Sequence, residues 1–158
     1  VEIRVVPYDD PDARKLMDEV QQEYVRRYGE PDISPMDPAE FAPPRGLFLV
    51  GYEDGTPVAT GAWRAHDGPP PALQPGDAEL KRMYVALAAR GRGYARAVLA
   101  ELERTAVRAG RSRAVLETGT EQPEAIALYR SCGYRDMQKF GLYKNDERSL
   151  CLAKSLVD

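Results

Sequence analysis

Apolar and polar residues alternate over positions 1–6, the period of a strand with one covered face. Turn and capping residues follow at Asp9–Asp12. Leu16, Val20, Tyr24 and Tyr28 then recur at every fourth position, one stripe of an amphipathic helix that Gly29 ends. Periodicity disappears over residues 30–45, where Pro31, Pro35, Pro38, Pro43 and Pro44 cluster with acidic residues. That composition predicts a mobile loop with one helical turn around 37–41. Residues 47–52 and 58–66 read as strands joined through Asp54-Gly55, a hairpin signal. Residues 67–76, rich in proline and glycine, predict a turn-rich loop. A strand follows at 78–85. Val98, Leu99, Leu102 and Ala106 then mark the inward stripe of a helix over 93–109, stopped by Gly110. Residues 113–118 read as a buried strand, and Pro123 suits the first turn of a helix running to Ser131. Strands at 134–137 and 149–154 complete the chain. Strands followed by helix, strand, helix and strand predict an α/β sandwich around a mixed sheet.

Composition narrows the class without choosing a function. The chain has 158 residues, enough for one core and one domain over 1–158. No run approaches the ~20 apolar residues of a membrane span, and no basic stretch precedes an apolar one as in a secretory signal. Cys132 and Cys151 are too few for a disulfide framework, so reduced thiols and a cytoplasmic setting are expected. His66, the only histidine, offers neither a metal cluster nor a triad, and no metal is expected. The net charge of −3 hides an asymmetry. Residues 1–79 carry 7 basic and 16 acidic side chains, whereas residues 80–158 carry 15 and 9. A basic half would attract an anionic cofactor, and an acidic half would steer a cationic acceptor such as an amine. The sequence pI of about 5.3 and the lack of aromatic residues interleaved with the arginines disfavour nucleic-acid binding.

The chemistry concentrates where the 78–85 strand meets Arg90-Gly-Arg-Gly-Tyr-Ala95 and the long helix. A strand, a glycine-rich turn and a helix N-terminus present unpaired N–H groups and the positive end of the helix dipole, a site suited to phosphates. Gly91 and Gly93 let the backbone approach a ligand closely. Arg90, Arg92 and Arg96 add positive charge. The loop lacks the Lys-Ser/Thr ending of a P-loop. Arg96 stands where a dinucleotide fingerprint needs a small residue, although Glu117 lies where a ribose-binding acid would be expected.

A second motif, Gln122-Pro-Glu-Ala-Ile-Ala-Leu-Tyr-Arg-Ser-Cys-Gly-Tyr134, makes the pattern specific. Together the two segments resemble the GNAT superfamily of acyl-CoA-dependent N-acetyltransferases, and a bacterial branch of it in particular. Arg90, Gly93 and Ala95 match its Arg/Gln-x-x-Gly-x-Gly/Ala motif. Ala125, Tyr129, Gly133 and Tyr134 match Ala-x-x-x-Tyr followed by Gly-Phe/Tyr. Gln122 departs from the family's usual Asn.

The resemblance covers about residues 46–155. It implies a central mixed, mostly antiparallel sheet of about six to seven strands flanked by about four helices. It also implies acetyl-CoA as cofactor, its pyrophosphate wrapped by the backbone of Arg90, Gly91, Arg92, Gly93, Tyr94 and Ala95. Arg96 would reach the nucleotide phosphates, and Gln122 would lie near the cofactor arm. The strand end at Met83, Tyr84 and Val85 would meet the pantetheine arm, and the Val85 N–H would stabilise the carbonyl oxygen. Tyr129 would be the general acid. A phenol near pKa ~10 is protonated at neutral pH and can supply a thiolate whose thiol sits near ~8.5. Glu79, on the strand leading to the cofactor, is the candidate base that lowers the acceptor ammonium's charge through water.

Tyr24, Tyr28, Phe41, Trp63, Phe140 and Tyr143 are candidates for the acceptor pocket, with Arg64 and Glu40 as polar orienting groups. The expected reaction is direct transfer in a ternary complex to a small-molecule amine. A protein or peptide amine and a non-catalytic acyl-CoA-binding module are the alternatives. The family's habit of dimerising leaves a homodimer open.

Overall fold

Asp10 starts the first helix, α1 (Pro11–Tyr28), its carboxylate accepting from the backbone N–H groups of Asp12 and Ala13. Gly29, at φ 88°, ends it. The stripe read from the sequence buries Leu16 and Val20 against the sheet. The structure, a computed structural model, describes residues 1–68 and 72–157. The loop expected over 67–76 therefore falls partly outside the described residues.

Seven strands build one sheet: β1 (Glu2–Val5), β2 (Gly46–Glu53), β3 (Thr56–His66), β4 (Asp77–Val85), β5 (Arg113–Gly119), β6 (Arg135–Asp136) and β7 (Ser149–Ser155). Their order is β1-β2-β3-β4-β5-β7-β6. Every neighbouring pair is antiparallel except β4–β5. That parallel pair is joined by α2 (Tyr94–Arg108), and α3 (Pro123–Ser131) follows β5. On one face Leu99 and Leu102 of α2 and Tyr129 of α3 pack with Trp63, Leu80, Leu116 and Leu152. On the other, α1 packs with Phe41, Phe48 and Val50. Mixed α/β architecture and strand number agree with the sequence reading.

The helix count differs. Three α-helices form among the described residues, with short 3-10 turns at Pro38–Phe41 and Leu87–Ala89. The fourth helical segment stays at one turn because Pro43 and Pro44 follow it closely and cannot continue a helix.

Two further expectations need correction. The 30–45 segment, read as mobile, is fastened along its length. Gln21 bonds both backbone groups of Asp32, each at 2.9 Å. The Tyr143 hydroxyl accepts from Ile33 N–H at 2.9 Å, and Arg64 donates to the Pro35 carbonyl at 2.9 Å. The charge asymmetry also turns inward. Lys81, Arg82, Arg90, Arg92, Arg111 and Arg113 of the basic half pair with Asp32, Glu23, Glu53, Asp67 and Asp77 of the acidic half. The imbalance is thus largely an internal complementarity between the two halves of the chain.

Candidate active site

The site begins where the parallel strands part. Pairing runs from Asp77↔Arg113 to Leu80↔Leu116 and stops, although β4 continues to Val85 and β5 to Gly119. A bulge helps β4 turn away. Arg82 takes φ 57°, the register with β3 shifts between Thr60 and Ala62, and the Thr60 hydroxyl ties the Arg82 carbonyl at 2.7 Å. Beyond the bulge the Ala86 N–H donates to the Val58 carbonyl at 2.8 Å. Strand alternation therefore turns the backbone groups of Val85 toward the gap. The Val85 carbonyl there accepts from Arg90 Nε at 2.9 Å.

At one end of the gap lies the glycine loop. Gly91 and Gly93 have φ of 80° and 81°, and a Cβ on either would meet open space. The glycines serve the turn, since L side chains rarely adopt this conformation. The first helical bond after the loop runs from the Ala97 N–H to the Gly93 carbonyl. The N–H groups of Tyr94, Ala95 and Arg96 thus have no carbonyl one turn back within the helix. These features fit a pyrophosphate held by backbone.

The arginines do less than their sequence suggests. Arg90 bonds Glu23 at 2.7 Å besides Val85. Arg92 lies on Glu53, which the Tyr94 hydroxyl also contacts. Arg96, expected to reach phosphates, instead bonds Ser131 Oγ at 2.9 Å and Cys132 Sγ at 3.2 Å. Each loop arginine has a protein partner in this structure. Tyr84 also departs from expectation. Its side chain is buried on the α1 face and its hydroxyl donates to Glu19, while its main chain pairs with Thr60.

At the other end is a cleft of about 140 Å³, walled by the last turn of α1, residues 30–32, the ends of β4 and β5, α3 and the 143–149 segment. Tyr24, Tyr28, Met83, Gln122, Tyr129 and Tyr143 all line it. The Tyr28 hydroxyl donates to Gln122 Oε1 at 3.1 Å. It packs so closely over β5 that a Cβ on Gly119 would lie 1.9 Å from it. Tyr129 is 6% exposed, its ring edge against Tyr134. Its hydroxyl has no hydrogen-bond partner among the described residues and is not sealed from the cleft. Burial, with Tyr24 nearby, pushes its pKa well above that of an ordinary phenol. Burial likewise raises Tyr24 to about 12. Both phenols keep their protons at neutral pH.

Four other candidates do not reach the cleft. Glu79 is 6% exposed and lies under Arg64, which bonds it at 2.9 Å and also reaches Glu40. Trp63 is core, its indole N–H donating to Thr105 of α2 at 3.0 Å. Phe41 packs against Tyr8, and Phe140 packs with Leu73, Val115 and Cys151. The carboxylate that does line the cleft is Glu117, which accepts from Ser149 Oγ at 2.8 Å. Burial raises its carboxyl above the ordinary range, and the Ser149 bond and Lys81 only partly oppose this. Its signal in the sequence was a carboxylate ending an apolar strand, a position equally suited to a ribose contact. Among the described residues no cluster has the make-up of a metal site, and no helix is long and apolar enough to cross a membrane.

A parallel strand pair that splays, a main-chain anion site at one end of the gap and a proton-bearing tyrosine at the other define an acyl-CoA-dependent acyltransferase. Residues 14–134 match the acetyltransferase (GNAT) family, and the chain belongs to that family. It is an acyl-CoA-dependent N-acetyltransferase that uses acetyl-CoA. It is similar to the IAA acetyltransferase of Azospirillum brasilense, 39% identical over 77% of this chain and 75% of that protein. Among solved structures, a Klebsiella pneumoniae protein assigned as an acyl-CoA N-acyltransferase superposes with TM-score 0.77 at 27% identity, covering 99% of this chain and 97% of the other. The PaiA N-acetyltransferase of Thermoplasma acidophilum, solved in complex with coenzyme A, shares the fold with TM-score 0.69 at 14% identity, over 98% and 99% of the two chains.

Proposed function

We propose that this chain acetylates the primary amine of a small molecule by direct transfer within a ternary complex. The observation that carries this reading is the cleft at the acceptor end of the gap. Tyr24 and Tyr28 wall it on one side, and residues 30–32 and 143–149 wall it on others. Such a recess suits a small acceptor better than a long peptide. The main chain of Gly91–Arg96 would hold the pyrophosphate, and the gap-facing edge of β4 from Met83 to Val85 the pantetheine arm. Bound there, acetyl-CoA supplies an acetyl group activated as a thioester.

An alkylammonium must lose a proton before it can attack, since its unperturbed pKa is near ~10.4. Glu117 is the base that this reading assigns. Its carboxylate lies in the cleft, and its raised pKa brings it closer to the proton it must accept. Tyr129 Oη holds the proton for the departing sulfur. Glu79 holds Arg64 in place and is not proposed as the base. Two unpaired thiols, Cys132 and Cys151, are consistent with a cytoplasmic setting.

The test is thiol release from acetyl-CoA with a panel of small primary amines, run beside short peptides of varied N-terminus. Saturable turnover with a small amine, and none with peptides, is the expected result. Turnover confined to peptides would replace the small-molecule reading with a protein acceptor.

A further inference from the structure

The last paired residues of β4 and β5, Leu80 and Leu116, both enter the core on the α2 face. The next residue on each strand, Lys81 and Glu117, therefore turns to the opposite face, and both line the acceptor cleft. No ion pair joins them among the described residues. Glu117 hydrogen-bonds Ser149, whereas Lys81 Nζ donates to Ser34 Oγ at 3.0 Å and to Asp32 Oδ2 at 3.4 Å. That same Asp32 oxygen is held more closely by Arg82, at 2.7 Å. Two cations thus share one carboxylate, and the Lys81 side chain is only 10% exposed.

The other charged groups at the cleft are accounted for. Arg148 pairs with Asp146 and donates to the Tyr28 carbonyl, and Glu30 is exposed at the mouth. Besides Glu30 at the mouth, the cleft therefore presents one carboxylate without an ionic partner and one under-neutralised ammonium. They stand one residue beyond the last paired register of β4 and β5, where the strands begin to part.

We infer that the acceptor is an amino acid whose ammonium meets Glu117 and whose carboxylate meets Lys81. The inference rests on the small-amine reading above and adds the second charge of the acceptor. Both groups line one small cleft, which suits an acceptor with its amine and carboxylate on the same or adjacent carbons. An acceptor without the carboxylate would cover Lys81 and leave its charge unanswered, a penalty that a hydrogen-bonding site turns into strong discrimination. The chemistry balances with the groups named. The C–N bond forms as the C–S bond breaks, Glu117 receives a proton from the acceptor nitrogen, and Tyr129 supplies one to sulfur. The amide nitrogen's second lost proton restores the tyrosine through solvent.

The experiment uses the full chain with acetyl-CoA and matched sets of acceptors: the common α-amino acids, their carboxamides, and the amines lacking the carboxyl group. Thiol release gives kcat/KM for each. At least one amino acid is expected to exceed its carboxamide and its amine by about 30-fold or more. In Lys81→Met that ratio falls to within about threefold of unity, and Lys81→Arg recovers most of it. Because the ratio compares two acceptors on one preparation, partial unfolding of a variant does not alter it. If Lys81→Met does not fold, the wild-type ratio decides. Equal turnover of acids, amides and amines overturns the carboxylate inference and leaves the small-amine reading standing. An acid preference that survives in Lys81→Met places the carboxylate elsewhere and also overturns it. No turnover of any small amine, while acetyl-CoA still raises Tm, overturns the small-amine reading and this inference with it.

Discussion

The two ends of the gap between β4 and β5 are built in opposite ways. The proposed cofactor end is a contiguous stretch that offers main-chain N–H groups, while its arginine side chains turn to Glu23, Glu53 and Ser131. The acceptor end is a set of side chains from α1, the 30–32 segment, both splayed strands, α3 and the 143–149 segment. A main-chain site tolerates changes at its side chains but not in its backbone conformation. A side-chain site has the reverse sensitivity. Substitutions at the two ends should therefore separate cleanly into effects on cofactor affinity and effects on turnover.

The largest expected effect is at the acceptor end. Tyr129→Phe keeps the ring and its packing on Tyr134 and removes only the proton donor. It should lower kcat about 10²–10³-fold with coenzyme A affinity preserved, measured by thiol release and calorimetry. An unchanged kcat would refute the acid assignment. Glu117→Gln should cost about 10²-fold in kcat/KM and flatten the acidic limb of its pH profile, because the base works only when deprotonated.

The same carboxyl makes a stability prediction. Its folded pKa is raised by burial, so its favourable contribution is complete below its unfolded value and is lost as pH rises through the folded one. Glu117→Gln should therefore gain stability relative to the parent at pH 8, and less at pH 4, in thermal melts at both.

At the cofactor end the backbone is the point of attack. Gly93→Val places a β-branched residue at φ 81°, a strain of about 1–2 kcal/mol. It should weaken coenzyme A binding about tenfold, and kcat at saturating cofactor should change less. Glu79→Ala separates a structural role for this carboxylate from a chemical one. Removing one partner of a buried pair costs about 3 kcal/mol, which is roughly a 6–12 °C fall in Tm. Turnover of the protein that remains folded should stay within about threefold. A collapse of kcat without loss of stability would return Glu79 to the reaction. The smallest effect is expected for Arg92→Ala, whose guanidinium is engaged by Glu53. Coenzyme A affinity should shift by less than about threefold, the scale of an exposed ion pair, and a tenfold loss would show that Arg92 leaves Glu53 for the phosphates.

The same contrast explains what was legible in the chain. Gly91, Gly93 and the helix after them lie within a few residues of one another, so motif spacing is enough to find them. Tyr129 is legible because its motif runs along one short helix. The places of Trp63, Phe41 and Phe140 are not legible, for the opposite reason. An aromatic side chain packs equally well in a core or a pocket, and only its neighbours decide. For Trp63 the deciding neighbour is Thr105, 42 positions away.

The order of strands and helices, the amphipathic stripes of α1 and α2, the glycine turn and the family to which they point all follow from the amino-acid pattern alone. These rest on periodicity and local conformational preference, which act over a few residues. The tertiary structure alone decided that β4 bulges at Arg82 and parts from β5 after Leu80. It turned the loop arginines to internal partners, fastened the 30–45 segment through Asp32, and exchanged Glu79 for Glu117 at the cleft. Each of these depends on which face of a strand meets which distant partner. A single added residue in a bulge reverses that choice, and burial and charge pairing settle it only once the whole sheet has formed.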